Sequence, residues 1–181
     1  MVELASRAGP VDARHAGTPV AAALPATPCH RAVLRVADDA ATAMGEALGV
    51  DLSAPIGRST TRNLRSALRL GPDEWLLIDE ERPIGRAGEG APVHSLVDVS
   101  HRNVGILVTG ARCVDALEQG CPRDLSLEAF PVGSCCRTLL GKCEIVLWRG
   151  KDDAFRVEVW RSFAPYALDF LAEACRDASL G

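Results

Sequence analysis

No stretch of the chain approaches the roughly 20 consecutive apolar residues that a membrane-spanning helix requires, so the sequence predicts a soluble protein. The chain also lacks a Gly-x-Gly-x-x-Gly run after a strand and lacks a Walker-type loop. Those patterns place backbone N–H groups around phosphates, and without them a dinucleotide site in this polypeptide is not expected. Basic residues are scattered and the formal net charge is -4, which argues against a nucleic acid partner. The apolar stretch Val20 to Ala26 contains Pro25 and has no compact basic region before it, so it does not read as a secretory signal. A cytoplasmic location is expected.

Paired C-x-x-C spacing is absent too. The seven cysteines, Cys29, Cys113, Cys121, Cys135, Cys136, Cys143 and Cys175, are odd in number and follow no short ligand pattern. Cys135 and Cys136 are adjacent and, in a strand, face opposite ways, which suits neither joint metal ligation nor a disulfide. Most of the cysteines read as small core residues. The alternative is a zinc site built from Cys135 or Cys136 with Cys143 and a histidine.

What is present is enough to fold. At 181 residues, with 48% apolar and 24% charged residues, the chain forms one or at most two domains that bury a core without crosslinks. Residues 1–28 hold Pro10, Pro19, Pro25 and Pro28 with no sustained period, which predicts a flexible N-terminal arm. Residues 29–181 read as a single domain.

His30 to Val36 predicts a strand, and Asp38 opens an amphipathic helix with Ala40, Met44, Ala47 and Leu48 on one face, ended by Gly49. Leu64 to Leu70 alternates as a half-buried strand should. Gly71-Pro72-Asp73 then turns the chain into an antiparallel return over Glu74 to Asp79. Residues 80 to 92 are Gly- and Pro-marked loop. Val97 to Thr109 gives strand, turn and strand, and Gly110 leads to a helix with Val114, Leu117 and Cys121, stopped by Pro122. Strands over Cys136 to Leu140, Cys143 to Trp148 and Phe155 to Trp160 follow. Ser162 caps a last helix bearing Phe163, Ala167, Phe170, Leu171 and Ala174. This order predicts an α+β fold of two related ferredoxin-like strand-helix-strand-strand halves, about 29–92 and 93–181, with mostly antiparallel sheets and helices packed on one face.

Asp98, Ser100 and His101 are the parts of an acyl-transfer site. In an extended segment, however, Asp98 and Ser100 share one face and His101 points to the other, so the serine and histidine do not meet. The expectation is that these residues satisfy backbone groups at the turn. Trp148 and Trp160 fall on the strand faces of Glu144 and of Arg156 and Glu158, away from the aliphatic faces. Either a second layer, read as a helix, covers them, or a partner subunit does.

The most specific pieces of sequence are Leu70-Gly71-Pro72-Asp73-Glu74-Trp75-Leu76-Leu77, Asp98-Val99-Ser100-His101-Arg102, Gly120-Cys121-Pro122 with Asp124-Leu125, Ala129-Phe130-Pro131-Val132-Gly133, and Glu158-Val159-Trp160-Arg161-Ser162-Phe163-Ala164. On these residues the chain resembles the γ subunits of heterotetrameric sarcosine oxidases, over most of residues 64 to 175. More distantly it is similar to the folate-binding aminomethyltransferase of the glycine cleavage system, and the resemblance implies an aminomethyltransferase-like fold. In that transferase a Gly-Gly-x-x-Asp-Asp run carries the carboxylate assigned to tetrahydrofolate chemistry. The corresponding hairpin here, Leu140-Gly141-Lys142-Cys143-Glu144-Ile145-Val146, is shorter and lacks the aspartates.

The resemblance implies a non-catalytic subunit that supports assembly of a flavoenzyme oxidising sarcosine to glycine, with hydrogen peroxide and a one-carbon unit passed to tetrahydrofolate. It implies α, β and δ subunits as partners. FAD, FMN, NAD and tetrahydrofolate are expected on those other subunits, with no cofactor, metal or catalytic residue in this chain. The candidate subunit-interface residues are Trp75, His101, Arg102, Trp148, Trp160, Arg161 and Phe163. The alternative is a stand-alone folate-binding or one-carbon transferase domain, using the cleft between the halves with Asp98, His101 and Arg102 as polar contacts.

Overall fold

The segment expected as a flexible arm is, in part, sheet. The computed structural model describes residues 9–11, 14 and 16–180. Within them β1 (Ala16–Gly17) and β2 (Ala22–Pro25) form a hairpin, and β2 runs antiparallel to β8 (Asn103–Thr109), with Ala23 opposite Val108 and Leu24 opposite Leu107. Val11, Ala21 and Ala23 are buried in the core. The remainder of residues 1–15 lies outside the described residues.

The first half begins with β3 (His30–Val36), as expected. Asp38 does not cap the helix that follows. A 3-10 turn (Asp38–Ala40) precedes α1 (Ala41–Leu48), and the Asp38 carboxylate pairs instead with Arg69. Ala41, Met44, Gly45 and Leu48 face inward, whereas Ala47 is exposed, and Gly49 closes the helix in the left-handed conformation that glycine adopts without a Cβ penalty. The chain then makes β4 (Ser59–Arg62), β5 (Arg65–Arg69) and β6 (Glu74–Asp79), successive antiparallel neighbours. β7 (His94–Asp98) pairs with β3, giving a five-stranded sheet in the order β4-β5-β6-β3-β7. The expected boundary near residue 92 is therefore corrected. β7 belongs to the first sheet, and the crossing to the second lies in the Val99 to Arg102 turn.

The second sheet has the order β1-β2-β8-β11-β10-β9, with β9 (Cys135–Leu140), β10 (Cys143–Lys151) and β11 (Ala154–Trp160) antiparallel as read from their turns. α2 (Cys113–Glu118) and α3 (Ala164–Leu180) pack on its outer side through Ala116, Leu117, Ala167, Leu171 and Ala174. The irregular passage before β9 is held by buried Arg149, whose guanidinium donates to the carbonyls of Leu125 at 2.8 Å and Phe130 at 2.9 Å.

Three apolar clusters give the layer order. Leu34, Met44, Trp75 and Leu77 join the first sheet to α1; Ile106, Ile145, Val157, Leu168 and Leu171 join the second sheet to α2 and α3. Leu68, Leu76, Ile78, Cys135 and Val146 fill the space between the sheets. The result is helix, sheet, sheet, helices, an α+β fold of two interlocked halves. Among the described residues no helix is long and apolar enough to cross a membrane.

Candidate functional site

The Val97 to Thr109 stretch is a backbone junction. Asp98 accepts the Ser100 N–H at 2.8 Å, and the Ser100 hydroxyl accepts the Arg31 N–H at 2.9 Å, fastening the turn to β3. Hydrogen bonding from Ser100, through its side chain and its N–H, holds the Asp98 carboxyl below the usual carboxylate range. His101 is exposed beyond the turn. Ser100 is thus engaged by backbone, and no serine–histidine hydrogen bond forms among these residues.

Arg31 leads to the most heavily charged part of the interior. Its guanidinium meets the Glu158 carboxylate as a fork, Nε to Oε2 at 2.6 Å and Nη2 to Oε1 at 3.1 Å. Arg156 donates from Nε to the same carboxylate at 2.7 Å and from Nη2 to the Cys29 sulfur at 3.0 Å. Arg31 belongs to β3, and Arg156 and Glu158 to β11, so the network ties one sheet to the other. Burial works against the Arg156 charge, but Glu158 outweighs it and holds the guanidinium above its ordinary value. Burial pushes the Cys29 thiol up, against the pull of Arg156 and Arg31.

Gly105, opposite Glu158 on β8, makes room for this network. A Cβ there would stand 2.8 Å from Arg156 Nη2, 2.9 Å from Glu158 Oε1 and 2.9 Å from the Ala26 side chain. Gly105→Ala is expected to cost about 1–3 kcal/mol through overpacking, read as a lower urea midpoint at unchanged slope. An unchanged midpoint would mean that the network shifts freely.

A second tie crosses between the sheets at Glu74. This carboxylate accepts from Arg137 on β9 at 2.6 Å and from Arg35 on β3 at 3.0 Å. The cleft left between Glu74, Arg137, Asn103, Glu158 and Trp160 encloses about 60 Å³. A small-molecule pocket is typically roughly 300–1,000 Å³. Glu144 lies at its mouth, half exposed and 3.6 Å from Arg137. A pterin-sized ligand does not fit this space.

The interface candidates separate into three places. Trp75 is fully buried between β6 and α1, with Arg69 stacked 4.8 Å from its ring, so its selection as an interface residue is corrected. β6 is the middle strand of its sheet and is covered on both sides. Trp148 packs against the cluster between the sheets with its Nε1 out of solvent. The layer that covers it is a sheet, where a helix was expected. His101, Arg102, Trp160, Arg161 and Phe163 gather at one corner, where the β7–β8 turn meets the end of β11. There the Arg161 N–H donates to the Arg102 carbonyl at 2.7 Å, and the Arg102 guanidinium lies 4.5 Å over the Trp160 ring.

Sequence reasoning missed Arg31 and the pairing of Arg156 with Glu158. A signal was available: two opposite charges alternate with Phe155, Val157 and Val159 on a strand whose other neighbours are apolar. The proposed zinc ligands are not assembled. Cys135 lies between the sheets with its thiol pushed up to about 12 by burial, while Cys143 lies in the helix-covered core and points at the Leu140 carbonyl.

The profile of the sarcosine oxidase, gamma subunit family matches residues 35–177. The chain belongs to that family. It is 31% identical over 138 residues to the sarcosine oxidase subunit gamma of an Arthrobacter species, covering 73% of this chain and 68% of that one. It is 29% identical over 142 residues to the corresponding subunit of Corynebacterium sp. (strain U-96), covering 76% and 69%. The heterotetrameric sarcosine oxidase from Corynebacterium sp. U-96, solved with pyrrole 2-carboxylate, contains a similar chain at a TM-score of 0.83 and 24% identity, covering 96% of each. The glycine cleavage system aminomethyltransferase T from Bartonella henselae shares the fold at a TM-score of 0.61 and 14% identity, over 93% of this chain and 50% of that one. Sarcosine oxidase γ subunits and the aminomethyltransferase are thus the relatives that the motifs pointed to.

Proposed function

We propose that this chain is a non-catalytic γ subunit of a cytoplasmic heterotetrameric sarcosine oxidase, and that it acts by supporting assembly. Its partners are the α, β and δ subunits, which carry FAD, FMN, NAD and the tetrahydrofolate site. The complex oxidatively demethylates sarcosine to glycine, forming hydrogen peroxide and a one-carbon unit passed to tetrahydrofolate. The observation that carries this reading is the family match across residues 35–177. The ion pairs between the sheets support it, because the cleft beside them encloses only about 60 Å³.

Purification through a tag on this chain from its native host is expected to bring down polypeptides with a flavin spectrum and sarcosine-dependent peroxide formation. The isolated chain is expected to show neither. Sarcosine oxidation by the isolated chain, or the lack of any accompanying flavoprotein, would overturn the reading. The aminomethyltransferase-like fold favours a second reading, a stand-alone folate binder. A calorimetric titration of tetrahydrofolate into the isolated chain decides between them, and heat of binding would favour the folate reading.

A further inference from the structure

Trp160 and Phe163 are 41% and 43% exposed, with ring centroids 6.2 Å apart at 39°. Both stand where β11 passes into α3. The guanidinium of exposed Arg102 lies over the Trp160 ring from the neighbouring turn, a cation on a flat aromatic support. The platform is held by backbone. Arg102 N–H donates to the Val99 carbonyl at 3.0 Å, and the Phe163 N–H to the Trp160 carbonyl at 2.8 Å. A shallow depression opens beside it, lined by Pro10, Arg102, Trp160 and Ser162 among others.

The Arg102 guanidinium stands apart from the chain's ion pairs. Arg31, Arg35, Arg65, Arg69, Arg137 and Arg156 each meet a carboxylate. Among the described residues no carboxylate lies within ion-pair distance of Arg102. Glu158, two residues before Trp160, is turned inward and engaged by Arg31 and Arg156, while Asp98 accepts the Ser100 N–H. Exposed His101 adjoins Arg102. In a chain of net charge -4 this corner therefore presents a cationic fork on an aromatic base, the composition of an interface hot spot.

We propose that this corner docks a carboxylate-bearing segment of a larger subunit, the carboxylate pairing with the Arg102 guanidinium and an apolar neighbour covering Trp160 and Phe163. The proposal rests on the subunit reading above. Charge complementarity selects the occupant: an acidic side chain supplies the ion-pair partner that Arg102 does not have among the described residues, and a planar guanidinium fork donates two parallel hydrogen bonds to a carboxylate. Because the receptor is already ordered, docking loses little side-chain freedom.

The test uses the complete complex, purified through a tag on the full-length chain carrying Arg102→Glu, Arg102→Lys or Trp160→Ala, with dissociation on dilution followed by mass photometry. Arg102→Glu is expected to weaken retention of the chain on the order of 100-fold, and Trp160→Ala by a similar factor. Arg102→Lys keeps the charge but loses the fork and the stack, so an intermediate loss of about 10-fold is expected. Retention of the wild-type chain is expected to fall with added salt, and that dependence to flatten in Arg102→Glu. Melting temperatures of the isolated variants should stay at the wild-type value, which separates docking from folding. Wild-type retention of both Arg102→Glu and Trp160→Ala would overturn the docking site while leaving the subunit reading standing. Failure of the wild-type chain to bring down any other subunit would instead remove the subunit reading. Self-association of the isolated chain that Trp160→Ala abolishes would assign the corner to a second copy and overturn the proposed occupant.

Discussion

Glu158→Ala is expected to destabilise the fold by about 3–5 kcal/mol, the cost of leaving buried charge without its partner. The Glu158 side chain is 1% exposed and that of Arg31 4%, so neither can recover its hydration by a small movement. Removing the carboxylate strands two guanidiniums at once, because Arg31 and Arg156 both donate to it. It also removes the tie between β3 and β11, leaving the Glu74–Arg137 pair and the apolar cluster to hold the sheets together. The measurement is urea unfolding of the wild-type and variant chains, with the difference taken between midpoints at common slope. A loss under about 1 kcal/mol would mean that the site is wetter than its burial indicates.

A control separates the pair's own contribution from the cost of breaking it. Joint replacement of Arg31, Arg156 and Glu158 by apolar residues of similar volume removes every charge together. Buried ion-pair clusters replaced in this way are commonly neutral or more stable. If the triple variant folds with near wild-type stability, the network's contribution is register between the sheets. That outcome bears on function, since an interior built to hold two sheets in one alignment positions the Arg102 and Trp160 corner for an outside partner.

How much of this was legible depended on how strongly each segment was patterned. Gly71-Pro72-Asp73 and the run Glu74 to Asp79 marked a turn and a strand without ambiguity, and β6 has the expected bounds. β4 was missed because Ser59–Arg62 carries no apolar alternation. It is an edge strand, and its turn is made by Asn63 at a φ of 56°. β7 was read only from Val97 because His94 and Ser95 are polar, again at a sheet edge. Periodicity reports burial of a face, and edge strands bury little of theirs.

The same limit governed the candidate site. Trp75 and Trp160 both lie within family-like motifs, and nothing local distinguishes a tryptophan sealed under α1 from one left at a corner. Only the strand order does so: β6 is central, whereas Trp160 is the last residue of its strand. The polar face of β10 and β11 was legible as a face needing cover. That the cover is another sheet, supplying Arg31 to Glu158, is a tertiary fact with a sequence separation of 127 residues.

The N-terminal segment provides the second large expected effect. Removal of residues 1–28 is expected to cost roughly 4–6 kcal/mol, from lost ladder hydrogen bonds at about 1 kcal/mol each and the exposure of Val11 and its neighbours. That is of the order of a whole domain's stability. β2 covers the edge of β8, and Ala26 N–H continues the pairing to the Gly105 carbonyl at 2.8 Å. Without it Ile106 and Val108 lie on an open strand, a template for aggregation. Gly110 marks the same packing from the other side. Its φ is +112°, and a Cβ there would collide with the Val20 carbonyl, so the sequence at the end of β8 is shaped by a segment 90 residues earlier. A single substitution makes the test without shortening the chain: Ala23→Asp places an unpaired carboxylate in a fully buried position and is expected to match the deletion in direction. A frayed arm predicts wild-type melting temperatures for both variants, and a strand built into the sheet predicts a lower melting temperature or insoluble protein for both.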